Sequence, residues 1–266
     1  MTKAGIGVES NLTYYSRVSA MHVNTYYDLL TAFRLEGCPI CRLVRLAVDS
    51  YLDSLDYEFI NDAKVRKDLV VSFGFCKDHA EQWFERPRLL ATCILYRDVV
   101  AYLGYHLHLK RRELFEKRSS RGWNRRLRSS LENIRRLIKS KPVCPVCDFQ
   151  QEEEHKYLSA LLQGFEDESF EEAYMKSHGL CLLHLFLGLD IAAEDSSVSI
   201  LLIDKALMEQ RKHMDLVVQC LQSQSYNSVA AYTPKSSEIY SIVQHLCGDP
   251  RLDRKPQIHC EKNTLA

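Results

Sequence analysis

Apolar residues return along this chain at the three- and four-residue steps of a helix, in long stretches with few breaks. Tyr26, Leu29, Leu30 and Phe33 form a stripe on a leading helix that stops at Gly37. Tyr51, Leu52, Leu55 and Phe59 share one face and predict a helix from Cys41 to about Ile60. Tyr157, Leu158, Leu161 and Phe165 repeat that pattern and predict another from Cys147 to about Phe165. Leu89 to about Lys117 reads as a long helix, with Leu90, Ile94, Val99 and Leu103 among its apolar positions. Val198 to about Leu221 is its counterpart. Asn61-Asp62 and Asp167-Glu168 supply N-cap and first-turn residues for two shorter helices, which Gly74 and Gly179 close. Only 10 glycines and 7 prolines occur among 266 residues, about half the usual share. That excludes a turn-rich sandwich or barrel. The expected fold is all-α.

The chain also repeats itself. Cys38-Pro39-Ile40-Cys41 is answered by Cys144-Pro145-Val146-Cys147, and Gly74-Phe75-Cys76-Lys77-Asp78-His79 by Gly179-Leu180-Cys181-Leu182-Leu183-His184. The matched helical positions keep the same register between these motifs. Each copy therefore has one order: CPxC, a long helix, a short helix, then GxCxxH opening a third helix. This is an internally duplicated helical domain. The expected partition is a leading segment and helix over 1–36, a first metal module over 37–88, and a long helix with a basic linker over 89–140. A second module over 141–190, a C-terminal long helix over 191–225 and a tail over 226–266 complete it.

Ten cysteines and ten histidines are the unusual feature of the composition. Zinc takes tetrahedral thiolate and imidazole ligands, commonly as two pairs with two residues between the ligands of each pair. Each copy holds one CxxC and one CxxH. The expected sets are Cys38, Cys41, Cys76 and His79 in the first module, and Cys144, Cys147, Cys181 and His184 in the second. A helical hairpin would bring each set together. Cysteines at helix N-termini also gain thiolate character from the helix dipole. Four protein ligands leave no open position, so these are read as structural sites, two zinc ions per chain. A buried-cysteine reading fails for eight positions recurring in register. A thioredoxin-type CPxC needs a βαβ context that is missing, and covalent haem needs CxxCH, whereas Arg42 and Asp148 follow the second cysteines.

The other candidates are weaker. Cys93 and Cys220 sit in helical patterns and are read as core. His155 and His178 match Asp49 and Phe73 in the other copy, which argues against ligation. His106 and His108, two apart on a helix, point in different directions. His245, Cys247, His259 and Cys260 have no counterpart in the repeat, so the tail is read as loosely ordered and not as a third site.

Net charge is zero, yet Lys110 to Lys141 carries thirteen Lys/Arg against three Glu, and Asp148 to Glu172 carries nine acids against one lysine. The basic stretch, with Trp123 for stacking, could hold a phosphate backbone. It is read first as a solvated linker balancing the acidic module. The N-terminal stretch from Met1 to Arg17 lacks the apolar core of a secretory signal, and no segment reaches the length of a membrane span. Clustered cysteines in such a chain suit a reducing, cytoplasmic setting.

The stretches EGCPICRLV, YLDSLDYEFINDAKVRKDL and GFCKDHAEQW, with the second copies CPVCDFQQEEEHKYLSALL and GLCLLHL, resemble an uncharacterised prokaryotic domain-of-unknown-function family. That family carries twin CPxC…GxCxxH half-sites, and the likeness covers roughly residues 20–222. The resemblance implies a cytoplasmic prokaryotic protein and supplies no activity. The first functional expectation is a zinc-clipped binding or scaffold protein with an unidentified protein partner. Alternatives are a redox protein with iron–sulfur clusters or oxidation-sensing zinc thiolates, and a nucleic-acid-associated regulator using the basic linker. A catalytic zinc would need an open position, and no nucleotide loop, nucleophile elbow or HExxH is present.

Overall fold

Helix boundaries fall where the chain supplies caps. The computed structural model describes residues 24–58, 60–85, 88–116, 143–192, 195–223 and 235–248, and all regular structure among them is α-helical. Helix α1 covers 24–32. It is followed by α2 (Pro39–Tyr57), α3 (Ala63–Val71), α4 (Lys77–Phe84) and α5 (Leu89–Glu116). The second copy gives α6 (Pro145–Gly164), α7 (Glu168–Lys176), α8 (Leu182–Ile191) and α9 (Ser196–Ser223), and α10 (Ser236–Cys247) closes the series. Asp62 caps α3 by accepting hydrogen bonds from the amides of Lys64 and Val65, and Asp167 caps α7 through the amide of Ser169. Gly74, at φ 94°, ends α3 as expected: its amide donates to the Leu69 carbonyl at 2.8 Å. A side chain there would also meet the Tyr96 ring, 2.9 Å from an added Cβ.

The chain parts into two compact units. One draws on Met1–Ser50 and Phe149–Pro250; the other draws, among the described residues, on Tyr51–Asp148. The first unit is built on aromatic packing. Phe170 is fully buried and stacks with Tyr26, ring centroids 4.8 Å apart, and meets Phe33 edge-on at 5.1 Å. Leu158 and Leu161, which the repeat places on one helix face, are fully buried here. Helix α10 departs from the expectation of a loosely ordered tail, of which residues 235–248 are described. Ile239, Ile242 and Leu246 recur at helical spacing, Glu238 caps back onto the Lys235 amide, and the helix packs on α8 and α9.

In the second unit Leu52, Leu55, Leu69, Phe75 and Trp83 form the core, and α3 lies along α5. The buried face of α5 is Ala91, Leu95 and Val99, a clean four-residue step, whereas Leu90 and Leu103 are 74% and 41% exposed. The expected stripe was therefore displaced, except at Val99. Cys93 belongs to the outer side too and is exposed, not core, while Cys220 is only half-buried. Arg88 is buried, donates to the Trp83 carbonyl at 2.9 Å, pairs with Asp53 and Asp56 of α2 and lies over the Trp83 ring. No described helix is long and apolar enough to cross a membrane.

Candidate metal centres

Each GxCxxH motif works as a helix start. Cys76 is the N-cap of α4 and Cys181 the N-cap of α8, so His79 and His184 sit on the first turn of those helices. The Cys76 sulfur accepts the His79 amide at 3.5 Å, as a capping oxygen would. Each CPxC straddles another start: Cys38 precedes Pro39, the first residue of α2, and Cys144 precedes Pro145, the first of α6. Proline suits that first position because its missing N–H has no partner to lose there. Cys41 and Cys147 follow within the first turn and face the same side as the cysteine before the helix.

All eight candidate ligands come together in two groups, but the pairing differs from the sequence reading. Cys38 and Cys41 meet Cys181 and His184, while Cys76 and His79 meet Cys144 and Cys147. Each CPxC is completed by the GxCxxH of the other copy, so neither module is self-contained. Within each group the ligand atoms all lie within 4.8 Å of one another. In the first, the Cys41 and Cys181 sulfurs are 3.7 Å apart, and His184 Nδ1 lies 3.4 Å from Cys38, 3.4 Å from Cys41 and 3.3 Å from Cys181. In the second, Cys147 and Cys76 are 3.7 Å apart. His79 Nδ1 lies 3.2 Å from Cys76, 3.3 Å from Cys147 and 3.9 Å from Cys144. Each unit holds one complete group.

These distances fit a single ion. A tetrahedron with metal–sulfur bonds of ~2.3 Å has sulfur–sulfur edges of roughly 3.8 Å. A disulfide would draw two sulfurs to ~2.05 Å, and none of the described cysteines forms one. The electrostatics point the same way. Hydrogen bonds from Cys147 and Cys76 hold the Cys144 thiol down to about 3, against its burial, and the same contacts push Cys147 upward. Burial and the Cys181 contact likewise raise Cys38, while Cys38 and Cys41 lower Cys181. In each group one thiol, Cys144 or Cys181, is pushed toward the thiolate while one neighbour, Cys147 or Cys38, resists ionisation. A cation at the centre would favour all three as thiolates together.

His184 is fully buried. Burial alone would lower its pKa, but contacts with Cys181, Cys41 and Glu154 carry it well above the ordinary histidine range. Glu154 is a neighbour of this group that the spacing of cysteines and histidines does not single out. It is buried on α6 with its carboxylate 3.5 Å from His184 Nε2. The signal was available: at the repeat offset Glu154 falls opposite Val48, a carboxylate in an apolar register.

The remaining candidates stay apart from both groups. His155 and His178 are exposed. His245 packs edge-on against His213, ring centroids 4.8 Å apart, and Cys247 is exposed. His259, Cys260, Trp123 and most of the basic stretch lie outside the described residues. Beside α8 a cleft of about 510 Å³ is lined mostly by apolar side chains, including Leu185, Leu207, Met214 and Ile242, together with His213 and His245.

No solved structure matches this chain. A relative in Caldicellulosiruptor sp. (strain Rt8B.4), described as an uncharacterized 23.9 kDa protein in the xynA 3'region, is 26% identical over 170 residues, 64% of this chain and 73% of that protein. The likeness read from the twin half-sites is borne out: residues 28–220 match the model of a family of unknown function (DUF6062), and the chain belongs to that family.

Proposed function

We propose that this protein is a zinc-clipped helical scaffold, holding one zinc in each Cys3His group and presenting its helical surface to a protein partner in the cytoplasm. The carrying observation is the geometry of the donors: three sulfurs and one imidazole nitrogen within 4.8 Å of one another, with one sulfur–sulfur pair in each group at 3.7 Å, close to the edge expected around one tetrahedral ion. Three thiolates and one imidazole are ligands that zinc favours, and four protein donors close its coordination shell. Clustered cysteines without a disulfide suit a reducing compartment. An iron–sulfur cluster places several iron and sulfide atoms between its ligands and spreads them beyond contact, which favours a mononuclear centre. The closed shell supports a structural role over turnover.

The test is metal analysis with an absorption spectrum of protein purified anaerobically. Two zinc ions per chain and a colourless solution are expected. A brown protein with broad absorption near ~400 nm overturns the zinc reading in favour of iron–sulfur chemistry.

A further inference from the structure

The two groups differ just outside their donors. His184 turns its Nδ1 edge toward the three sulfurs, and the opposite edge, Nε2, faces Glu154 Oε1 at 3.5 Å. Glu154 is 8% exposed and accepts a hydrogen bond from Gln150 Nε2 at 3.1 Å, one turn earlier on α6. Burying a carboxylate in a core position is costly unless a donor meets it there. The first copy shows what that position otherwise holds. The residues matching Gln150 and Glu154 are Val44 and Val48, both fully buried. The second copy has replaced two core valines with an amide–carboxylate pair aimed at a ligating histidine.

Resting on the zinc reading above, we propose that Glu154 is the outer carboxylate of the Cys38–Cys41–Cys181–His184 centre, and that it makes this centre the slow-releasing one of the two. Accepting the Nε2 proton leaves the lone pair on Nδ1, where the sulfurs converge. It also holds the ring in that orientation and increases its strength as a donor. The negative charge of Glu154 behind the ring further favours retention of a dication. The other centre is also the more open: Cys76 and Cys147 are both half-buried, whereas in the first only Cys38 is.

The experiment is zinc release from the full chain, loaded with two zinc ions, into excess 4-(2-pyridylazo)resorcinol at neutral pH. Two phases of one zinc each are expected, with the slow phase missing from Cys181→Ser and retained in Cys147→Ser. Outer carboxylates typically contribute 10–100-fold to metal affinity, so Glu154→Gln should accelerate the slow phase by roughly tenfold or more. Glu154→Val, which restores the residue of the first copy, should accelerate it further. The fast phase, unchanged in both variants, reports that they are folded. The near-isosteric Gln separates the charge of the carboxylate from its packing. A slow phase unaffected by Gln and Val, or one that disappears with Cys147 instead of Cys181, overturns the proposal. Two zinc ions leaving at one rate also overturn it while leaving the zinc reading intact. A chain that binds no zinc ends both.

Discussion

Cys41 and Cys181 are 140 residues apart in sequence, and their sulfurs lie 3.7 Å from each other in the core of one unit. The second group joins Cys147 to Cys76 across 71 residues. An ion in either group ties together segments contributed by different copies of the repeat. The duplication therefore produced two crossed centres, with each copy giving half of its ligands to the other.

Crossing makes a sharp expectation for paired substitutions. Cys38→Ser and Cys181→Ser should each lose one metal, and the double variant should still lose only one. Cys38→Ser combined with Cys76→Ser should lose both. Metal content per folded chain distinguishes the crossed arrangement from one centre per module, which reverses those two outcomes.

The sequence already contained the eight ligands and the helix starts that carry them, because spacing and caps are local. Asp62, Asp167, Cys76 and Cys181 open helices where the repeat placed them. The pairing was not local, although helix lengths held a warning. Nineteen residues of α2 carry the chain about 28 Å from Cys38, while the nine of α3 return only about 13 Å. A hairpin of such unequal arms does not close on its own start. The face of α5 was misjudged for another reason. Its apolar residues surround much of the helix, so Leu90 and Leu95 were equivalent by hydropathy, and only packing against α3 selects Leu95.

Chelation should destabilise the fold without erasing its helices. An ion in either group would join the starts of two helices in separate parts of the chain, so its binding free energy would be folding free energy. Apolar packing such as that around Phe170 and Trp83 does not depend on metal. A strong chelator should lower the melting temperature and broaden the transition, with most of the helical circular-dichroism signal retained at low temperature. An unchanged melting temperature with both ions removed would refute a structural role.

Arg88 should be the most sensitive ionic position of the second unit. Its side chain is 4% exposed and serves Asp53, Asp56, the Trp83 carbonyl and the Trp83 ring at once. Arg88→Met removes a buried guanidinium from both Asp53 and Asp56 and from the Trp83 carbonyl. Because both carboxylates keep some contact with water, the cost should be about 2 kcal/mol, below the 3–5 of a fully buried pair. Arg88→Lys should recover only part of it, since an ammonium cannot reproduce the planar fork. Urea denaturation of the metal-loaded variants measures both values.

The contact between Tyr26 and Asp167 should add a distinct acid dependence to the first unit. The Tyr26 hydroxyl donates to the carboxylate at 2.6 Å, and this bond, with those from Ser169, holds the Asp167 pKa down to about 2 from an ordinary 3.8. A carboxyl group depressed in the folded state stabilises it when ionised in both states. Its contribution is complete above about pH 5 and fades as the pH falls toward 2. Tyr26→Phe keeps the stacking on Phe170 and deletes the hydrogen bond. The stability difference between wild type and Tyr26→Phe should therefore be constant from neutral pH to about 5, then shrink as the solution is made more acid. Using the difference cancels the loss of metal that both proteins suffer when their thiolates are protonated. Urea unfolding at a series of pH values tests this, and a difference that widens below pH 4 would show that the bond favours the protonated carboxyl instead.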